Sequence, residues 1–382
     1  MTERIHGGDL EKVQKKLGLK KGTITDFSAN INPLGPPPRV LEAVKQSLEE
    51  IVNYPDPECQ ELKEAISTHY PVEYSKLIVG NGASELIFIL MKVLNFRKVL
   101  IPAPTFIEYQ FAAQSVNSMV NFVNLPYEAD FGLPVKDVIE KLSFVDLLFL
   151  CNPNNPTGTL WEREKLEEII NAAQRLGKFV ILDEAFMEFV EEEKNYSILF
   201  GHNSYDNIFI LRSMTKFFAI PGLRLGWGAG TPDIIKKMEL AKDPWNVNIL
   251  AQIAGKEALS DKSYIIRTKE LIKREKEYLY RELQKIPGLR PYQPAVNYIF
   301  VEITDITLDS GTLREKLSRK GFLIRDCGNY PNLTSRFFRL AVRKREENSL
   351  LIKTLKEIFC KRGEILVAQD YLPASARGNE ME

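Results

Sequence analysis

Lys216 closes the run Leu211-Arg212-Ser213-Met214-Thr215-Lys216, beside two hydroxyls, and is followed by Arg224 in Pro221-Gly222-Leu223-Arg224-Leu225-Gly226. Partial burial and a nearby positive charge depress a lysine pKa toward neutrality, and a neutral amine among hydroxyls and an arginine suits imine formation next to a bound phosphate. Taken alone, such a lysine reads as a surface residue. Three other segments share its setting at the end of a short apolar run. Asn81-Gly82-Ala83-Ser84-Glu85 is a glycine turn that offers N–H groups and a hydroxyl to an anion, or equally an ordinary helix cap. Asn152-Pro153-Asn154-Asn155-Pro156-Thr157-Gly158 brings three asparagine amides to a strand end, where ligands of open α/β sheets bind. Asp183 in Asp183-Glu184-Ala185-Phe186 is either a functional carboxylate or a helix N-cap.

The elements that must position these groups are short apolar runs at Leu77 to Val79, Val99 to Ile101, Val145 to Leu150, Phe179 to Leu182 and Ile208 to Leu211, with helical stretches between them. That alternation predicts an α/β fold, a mostly parallel sheet sandwiched by helices. Pro33 to Pro38 is proline-rich and reads as an extended connector that is neither helix nor central strand. After about Ile265 a long charged helix, strands near Tyr298 to Glu302 and Phe337 to Val342, and a helix through Leu350 to Phe359 predict a smaller α+β unit. The expected organisation is an N-terminal arm with part of the small unit over 1–48, a large domain over 49–264, a small domain over 265–362 and a polar tail over 363–382.

The order of glycine turn, Asn loop, strand-end Asp and Ser-x-Thr-Lys with Arg is more specific than any member, and from His6 to about Phe359 it resembles the fold type I enzymes that use pyridoxal 5'-phosphate. The resemblance implies a seven-stranded-type sheet, with Lys216 as the Schiff-base lysine and Asp183 as the partner of the ring nitrogen. It also implies that Asn155 bonds the ring oxygen, that Gly82, Ala83, Ser84, Ser213, Thr215 and Arg224 surround the phosphate, and that Phe106 stacks on the ring. Tyr54 in NYPDPE would reach the neighbouring subunit's phosphate, which implies a homodimer. His6, Asn30, Asn155, Arg325 and Arg339 would hold the substrate, since guanidinium forks suit carboxylate and phosphate.

Within that family the chain is similar to histidinol-phosphate aminotransferases and, more closely, to the L-threonine O-3-phosphate decarboxylases of cobalamin biosynthesis. The segments carrying the second likeness are His6-Gly7-Gly8 with DFSANINPLGPP (Asp26 to Pro37), LRSMTKFFAIPGLRLG, DPWNVN (Asp243 to Asn248) and LIRDCGNYPNLTSRFFRLAVR (Leu323 to Arg343). Phe186 adds to it, because the aminotransferases usually carry Tyr there. The resemblance therefore implies decarboxylation of a small phosphorylated amino acid, with transamination as the alternative.

Composition bounds these expectations. The 382 residues include 51 Lys+Arg and 51 Asp+Glu, and that zero balance argues against nucleic acid as the main partner. The start, MTERIHGGDLEKV, has no apolar core of a signal peptide, and no apolar run is long enough for a membrane span, so a cytoplasmic protein is expected. Cys59, Cys151, Cys327 and Cys360 form no CxxC pair, and His6, His69 and His202 do not complete a metal set, so no metal is expected and Cys151 reads as a buried small residue. Glu191 to Glu193 and the basic residues of 267–285 read as solvated faces.

Overall fold

The computed structural model describes residues 4, 6–18 and 20–370. In chain order its strands are β1 (Thr25–Asp26), β2 (Leu77–Gly80), β3 (Lys98–Ala103), β4 (Met119–Asn124), β5 (Leu147–Cys151), β6 (Phe179–Asp183), β7 (Ile208–Ser213), β8 (Gly226–Ala229), β9 (Leu289–Pro291), β10 (Tyr298–Ile303), β11 (Phe322–Leu323), β12 (Arg325–Asp326) and β13 (Phe337–Ala341). A seven-stranded sheet runs β2-β8-β7-β6-β5-β3-β4, and β8 alone is antiparallel to its neighbours. A four-stranded antiparallel sheet runs β12-β13-β10-β9, and β1 pairs in parallel with β11.

β5, β6 and β7 are buried at every position, as strands covered by helices on both faces must be. Their side chains alternate between two apolar layers: Leu148, Leu150, Val180, Leu182, Ile208 and Ile210 face one, while Leu147, Phe149, Ile181, Phe209 and Leu211 face the other. Because these strands are parallel, their carboxyl ends fall on one edge, and the turn after β2 and the residues entering antiparallel β8 join them there. Asp183 pairs in register with Cys151 and Leu211, and Ser213 with Gly226.

The structure adjusts several boundaries. Val145 precedes its strand, and β6 and β7 reach Asp183 and Ser213, so the polar end residues are themselves in the sheet. Pro38 opens the helix Pro38–Gln46, since the first helical position needs no amide proton from it. The final helix spans Arg345–Asp370, longer than the apolar stretch Leu350 to Phe359 suggests, and so takes in the first part of the expected tail; 371–382 lie outside the described residues.

β4 and β8 lack the apolar run that marks a strand. β4 is an edge strand in which only Val123 is buried and Met119 and Asn124 are exposed. β8, Gly226-Trp227-Gly228-Ala229, uses glycine for close approach: a Cβ on Gly228 would lie 2.3 Å from the Phe209 ring, and one on Gly226 would lie 2.3 Å from the backbone nitrogen of Ala83. The second contact is backbone on backbone and presses β8 against the glycine turn. Gly226→Ala is therefore expected to lower unfolding free energy by about 1–3 kcal/mol, read from denaturant unfolding, and an unchanged midpoint would refute this packing.

Candidate active site

Lys216 follows β7 in the single turn Met214–Phe217, which throws its amine back over the sheet edge. Its Nζ donates to Ser213 Oγ at 3.0 Å, and Ser213 and Thr215 hydroxyls are 2.9 Å apart. The amine lies 5.5 Å from the centre of the Phe186 ring. Burial pushes the Lys216 pKa down, Arg224 pushes the same way, and Asp183 and Glu188 oppose them.

Asp183, at the end of β6, accepts from the Ala185 amide at 2.8 Å and from the Tyr109 hydroxyl at 2.7 Å. Burial raises its pKa, against those two hydrogen bonds and the charge of Lys216. Tyr109 is fully buried, stacked on Phe149 at 4.8 Å and edge-on to Phe106 at 5.5 Å. Sequence reasoning missed this residue. Its signal is the short spacing from Phe106, an aromatic three residues before another at the start of the helix Glu108–Ser115.

The glycine turn lies at the same edge. A Cβ on Gly82, whose φ is +82°, would sit 2.4 Å from an Arg224 guanidinium nitrogen, so that guanidinium lies against the turn opening the helix Ala83–Leu94. Glu85 accepts from the Asn81 amide and from Asn246, both at 2.6 Å, and so ties this turn to the segment Asp243 to Asn248.

The cavity above Lys216 is lined by Phe106, Asn155 and Phe186 from around the large sheet, by Arg325, Tyr330 and Arg339 from around the small one, and by His6, Ser28 and Asn30 from the N-terminal segment. Asn155 accepts from Arg339, and Arg339 also donates to the Ser28 carbonyl at 2.9 Å. Arg325 donates to Asn329 at 2.8 Å and to the Asp326 carbonyl. His6 Nε2 is 2.9 Å from Glu108 Oε1.

Arg325 and Arg339 are directly opposite each other in the β12–β13 pairing, at 4 % and 5 % exposure. Like charges facing across an antiparallel pair destabilise a sheet, so the arrangement makes sense as a receptor for anions. Two buried polar atoms in the same cavity, Asn30 Oδ1 and Arg339 Nε, have no hydrogen-bond partner among the described residues. The groups present fit pyridoxal phosphate and an anionic substrate: a depressed lysine beside a buried carboxylate, hydroxyls and an arginine at a glycine turn, and two guanidinium forks beyond.

Tyr54 is not brought to this cavity. It is 78 % exposed and stacks on Trp245 at 4.5 Å. The thiols are buried, with Cys151 pushed up to about 12 by burial, which leaves it inert; the side chain of Cys360 lies outside the described residues.

Comparison with known proteins finds relatives over most of the chain. The chain is 37 % identical over 356 residues to the threonine-phosphate decarboxylase of Salmonella typhimurium, covering 93 % of this chain and 96 % of that one. It is 33 % identical over 358 residues to a bifunctional adenosylcobalamin biosynthesis protein of Leptospira interrogans, covering 93 % of this chain and 41 % of that protein. Among solved structures, the histidinol-phosphate aminotransferase of Clostridium acetobutylicum superposes with a TM-score of 0.83 at 31 % identity, covering 88 % of this chain and 99 % of that one. The family model described as aminotransferase class I and II matches residues 22–355, and this chain belongs to that family.

Proposed function

We propose that this protein is a pyridoxal phosphate-dependent decarboxylase that converts L-threonine O-3-phosphate to (R)-1-amino-2-propanol O-2-phosphate and CO2, a step that supplies cobalamin biosynthesis. The observation that carries the reading is the pair of buried arginines opposite one another on β12 and β13, above Lys216. A substrate with two anionic groups, a carboxylate and a phosphate, matches two forks. Among curated proteins, the identity to the Salmonella typhimurium decarboxylase, 37 %, exceeds the 32 % to the histidinol-phosphate aminotransferase of Moorella thermoacetica, which favours loss of CO2 over amino transfer.

Bound pyridoxal phosphate supplies an electron sink for the pair released when a bond to the substrate Cα breaks. The rest is the work of this chain. Asp183 would hold the ring nitrogen, Asn155 the ring oxygen and Phe106 the ring itself. Gly82, Ala83, Ser84, Ser213, Thr215 and Arg224 would hold the cofactor phosphate. Lys216 would hold the cofactor through its amine, and because burial lowers its pKa the amine is suited to accept and deliver a proton at the sheet edge. Arg339, held by Asn155 and the Ser28 carbonyl, grips the substrate carboxylate, and Arg325, Asn30 and His6 take the substrate phosphate. Orientation of the carboxylate against the ring selects which bond breaks, and a fixed Arg339 supplies that orientation.

The active form is a homodimer in the cytoplasm. Ile51, Val52, Tyr54 and Trp245 form an exposed apolar surface that a second copy covers, and Tyr54 there enters the neighbouring site. Free Cys59, Cys151 and Cys327 suit a reducing compartment. The domains divide as 49–264 and 265–362, with 1–48 shared between arm and small domain.

Purified protein with pyridoxal phosphate and L-threonine O-3-phosphate, without a 2-oxo acid, is expected to release CO2 and aminopropanol phosphate over many turnovers by mass spectrometry. Lys216→Ala should lose about 10²–10⁴-fold in rate with the fold retained. No CO2, with amino transfer from histidinol phosphate to 2-oxoglutarate instead, would overturn the assignment.

Cofactor retention should depend on pH through Asp183. The ion that pairs with the ring nitrogen exists above the raised Asp183 pKa, so affinity is full there and falls as pH drops through it, at a higher pH than an ordinary aspartate would show. Tyr109→Phe removes a hydrogen bond that stabilises the ion. It should weaken cofactor binding about three- to tenfold and move the acid limb up, read by fluorescence titration of the apoprotein. An acid limb identical to that of the unmodified protein would refute the role of the Tyr109 hydroxyl.

A further inference from the structure

Glu108 is a carboxylate at 3 % exposure whose hydrogen bonds, among the described residues, go only to the N-terminal arm. It opens the helix Glu108–Ser115, two residues after Phe106. Arg4 reaches it through Nε at 2.8 Å and through a second guanidinium nitrogen, and His6 through Nε2 at 2.9 Å. The Arg4 guanidinium also lies 5.3 Å from the centre of the Phe111 ring and 5.8 Å from that of Phe88. Burial pushes the Glu108 pKa up, but the bonds from His6 and Arg4 outweigh it and hold the group at about 2, so Glu108 is an anion at any working pH. A buried anion stripped of its partners is costly, so the arm is a required complement of this helix start.

The arm is fastened at its other end to the small sheet's side. Gly8 donates to Ser28 Oγ at 2.8 Å, and Asp9 pairs with Arg314 at 2.8 Å. Gly7 packs so closely on Ser28 that a Cβ there would lie 2.2 Å from the Ser28 carbonyl oxygen, the atom that accepts from Arg339. The arm thus spans from Glu108 to Ser28 across the cavity, and His6 and Gly7 form part of its wall. With Nε2 committed to Glu108, Nδ1 is the His6 ring nitrogen without a hydrogen bond among the described residues, and His6 lines the cavity together with Arg325 and Asn30.

We propose that Glu108 is a positioning residue for phosphate recognition: it docks the N-terminal arm across the cavity and fixes the His6 ring so that Nδ1 is presented to the phosphate of the amino-acid substrate. This rests on the phosphorylated substrate proposed above. A carboxylate that orients an imidazole through one nitrogen leaves the other with a fixed direction, the same device that orients metal-binding histidines. Glu108 touches neither substrate nor cofactor, so its removal should affect substrate capture and leave the chemical step in place.

The holoenzyme carrying Glu108→Gln is expected to show KM for L-threonine O-3-phosphate raised about tenfold with kcat within about twofold, and His6→Ala, which removes a phosphate-binding group, should raise KM by a similar factor. The double variant should be no worse than either alone, because both remove one interaction, and Glu108→Asp should recover part of the loss. Should Glu108→Gln fail to fold, Arg4→Gln removes half of the docking and should shift KM in the same direction. An unchanged KM in every one of these variants, or effects of Glu108→Gln and His6→Ala that add, would overturn the proposal. A second readout does not need turnover: inorganic phosphate should slow amide hydrogen exchange at residues 6–9 in the unmodified holoprotein and not in Glu108→Gln. If phosphothreonine is not turned over at all, the assigned reaction falls, and phosphate protection then decides on Glu108 alone: protection lost in the variant supports its role, and equal protection overturns it.

Discussion

The arrangement depends on one buried cation. Arg212 is completely enclosed and donates to Glu184 at 3.0 Å, to Glu193 at 2.7 Å, to Ser197 at 2.8 Å and to Glu188 at 3.3 Å, with the Tyr70 ring 5.4 Å from its guanidinium carbon. Glu184 follows Asp183 and Arg212 precedes Ser213. The ion pair therefore ties the ends of β6 and β7 together just where the chain departs to deliver the carboxylate and the amine of the site. Removing one member of such a buried pair leaves an uncompensated charge, at a cost of about 3–5 kcal/mol. The carboxylates around Arg212 are not equivalent. Glu184 has both oxygens bonded, by Ser197, Ile198 and Arg212, whereas Glu188 has one oxygen without a partner among the described residues. Burial raises the Glu188 pKa, which favours its neutral form and spares the cluster an excess of negative charge.

That tie makes the electrostatics of the site possible. Burial drives the Lys216 amine toward neutrality and the Asp183 carboxyl toward its acid form, and each opposes the other's shift. Such opposed shifts persist only where neither group can relax away into solvent. Tyr109 and the Ala185 amide hold Asp183, and Ser213 holds Lys216, so relaxation is blocked by short contacts on rigid strand ends.

Much of this is legible in the sequence. A polar residue that terminates a continuous apolar run must lie at the edge of a sheet buried on both faces, and that logic places Asn152 to Asn155, Asp183 and Lys216 together before any coordinates. It fails at β8, where glycines stand in for apolar side chains because Phe209 and the turn at Ala83 occupy the space. It also fails for groups that act from behind. Tyr109, Glu108 and Arg212 sit within helices or strands whose patterns look like ordinary core, and their partners are distant in sequence: Asp183, Arg4 with His6, and Glu193. Local pattern reports which residues reach an edge and is silent on long-range pairing.

The two arginines run against what stability alone would select. A sheet built only for stability would not place Arg325 and Arg339 opposite each other and bury both, because desolvation and mutual repulsion act together. Arg339 is compensated by Asn155, from the loop after β5, and by the carbonyl of Ser28, from the N-terminal segment, over the face of Tyr298 at 5.1 Å. Neutral acceptors of this kind fix direction without neutralising charge, so the guanidinium keeps its attraction for a carboxylate while losing its freedom to follow one. A charged group held immobile selects the orientation of any anion it meets. The small sheet therefore supplies fixed direction as well as charge, and its register sets Arg325 against Arg339 at the wall of the cavity above Lys216.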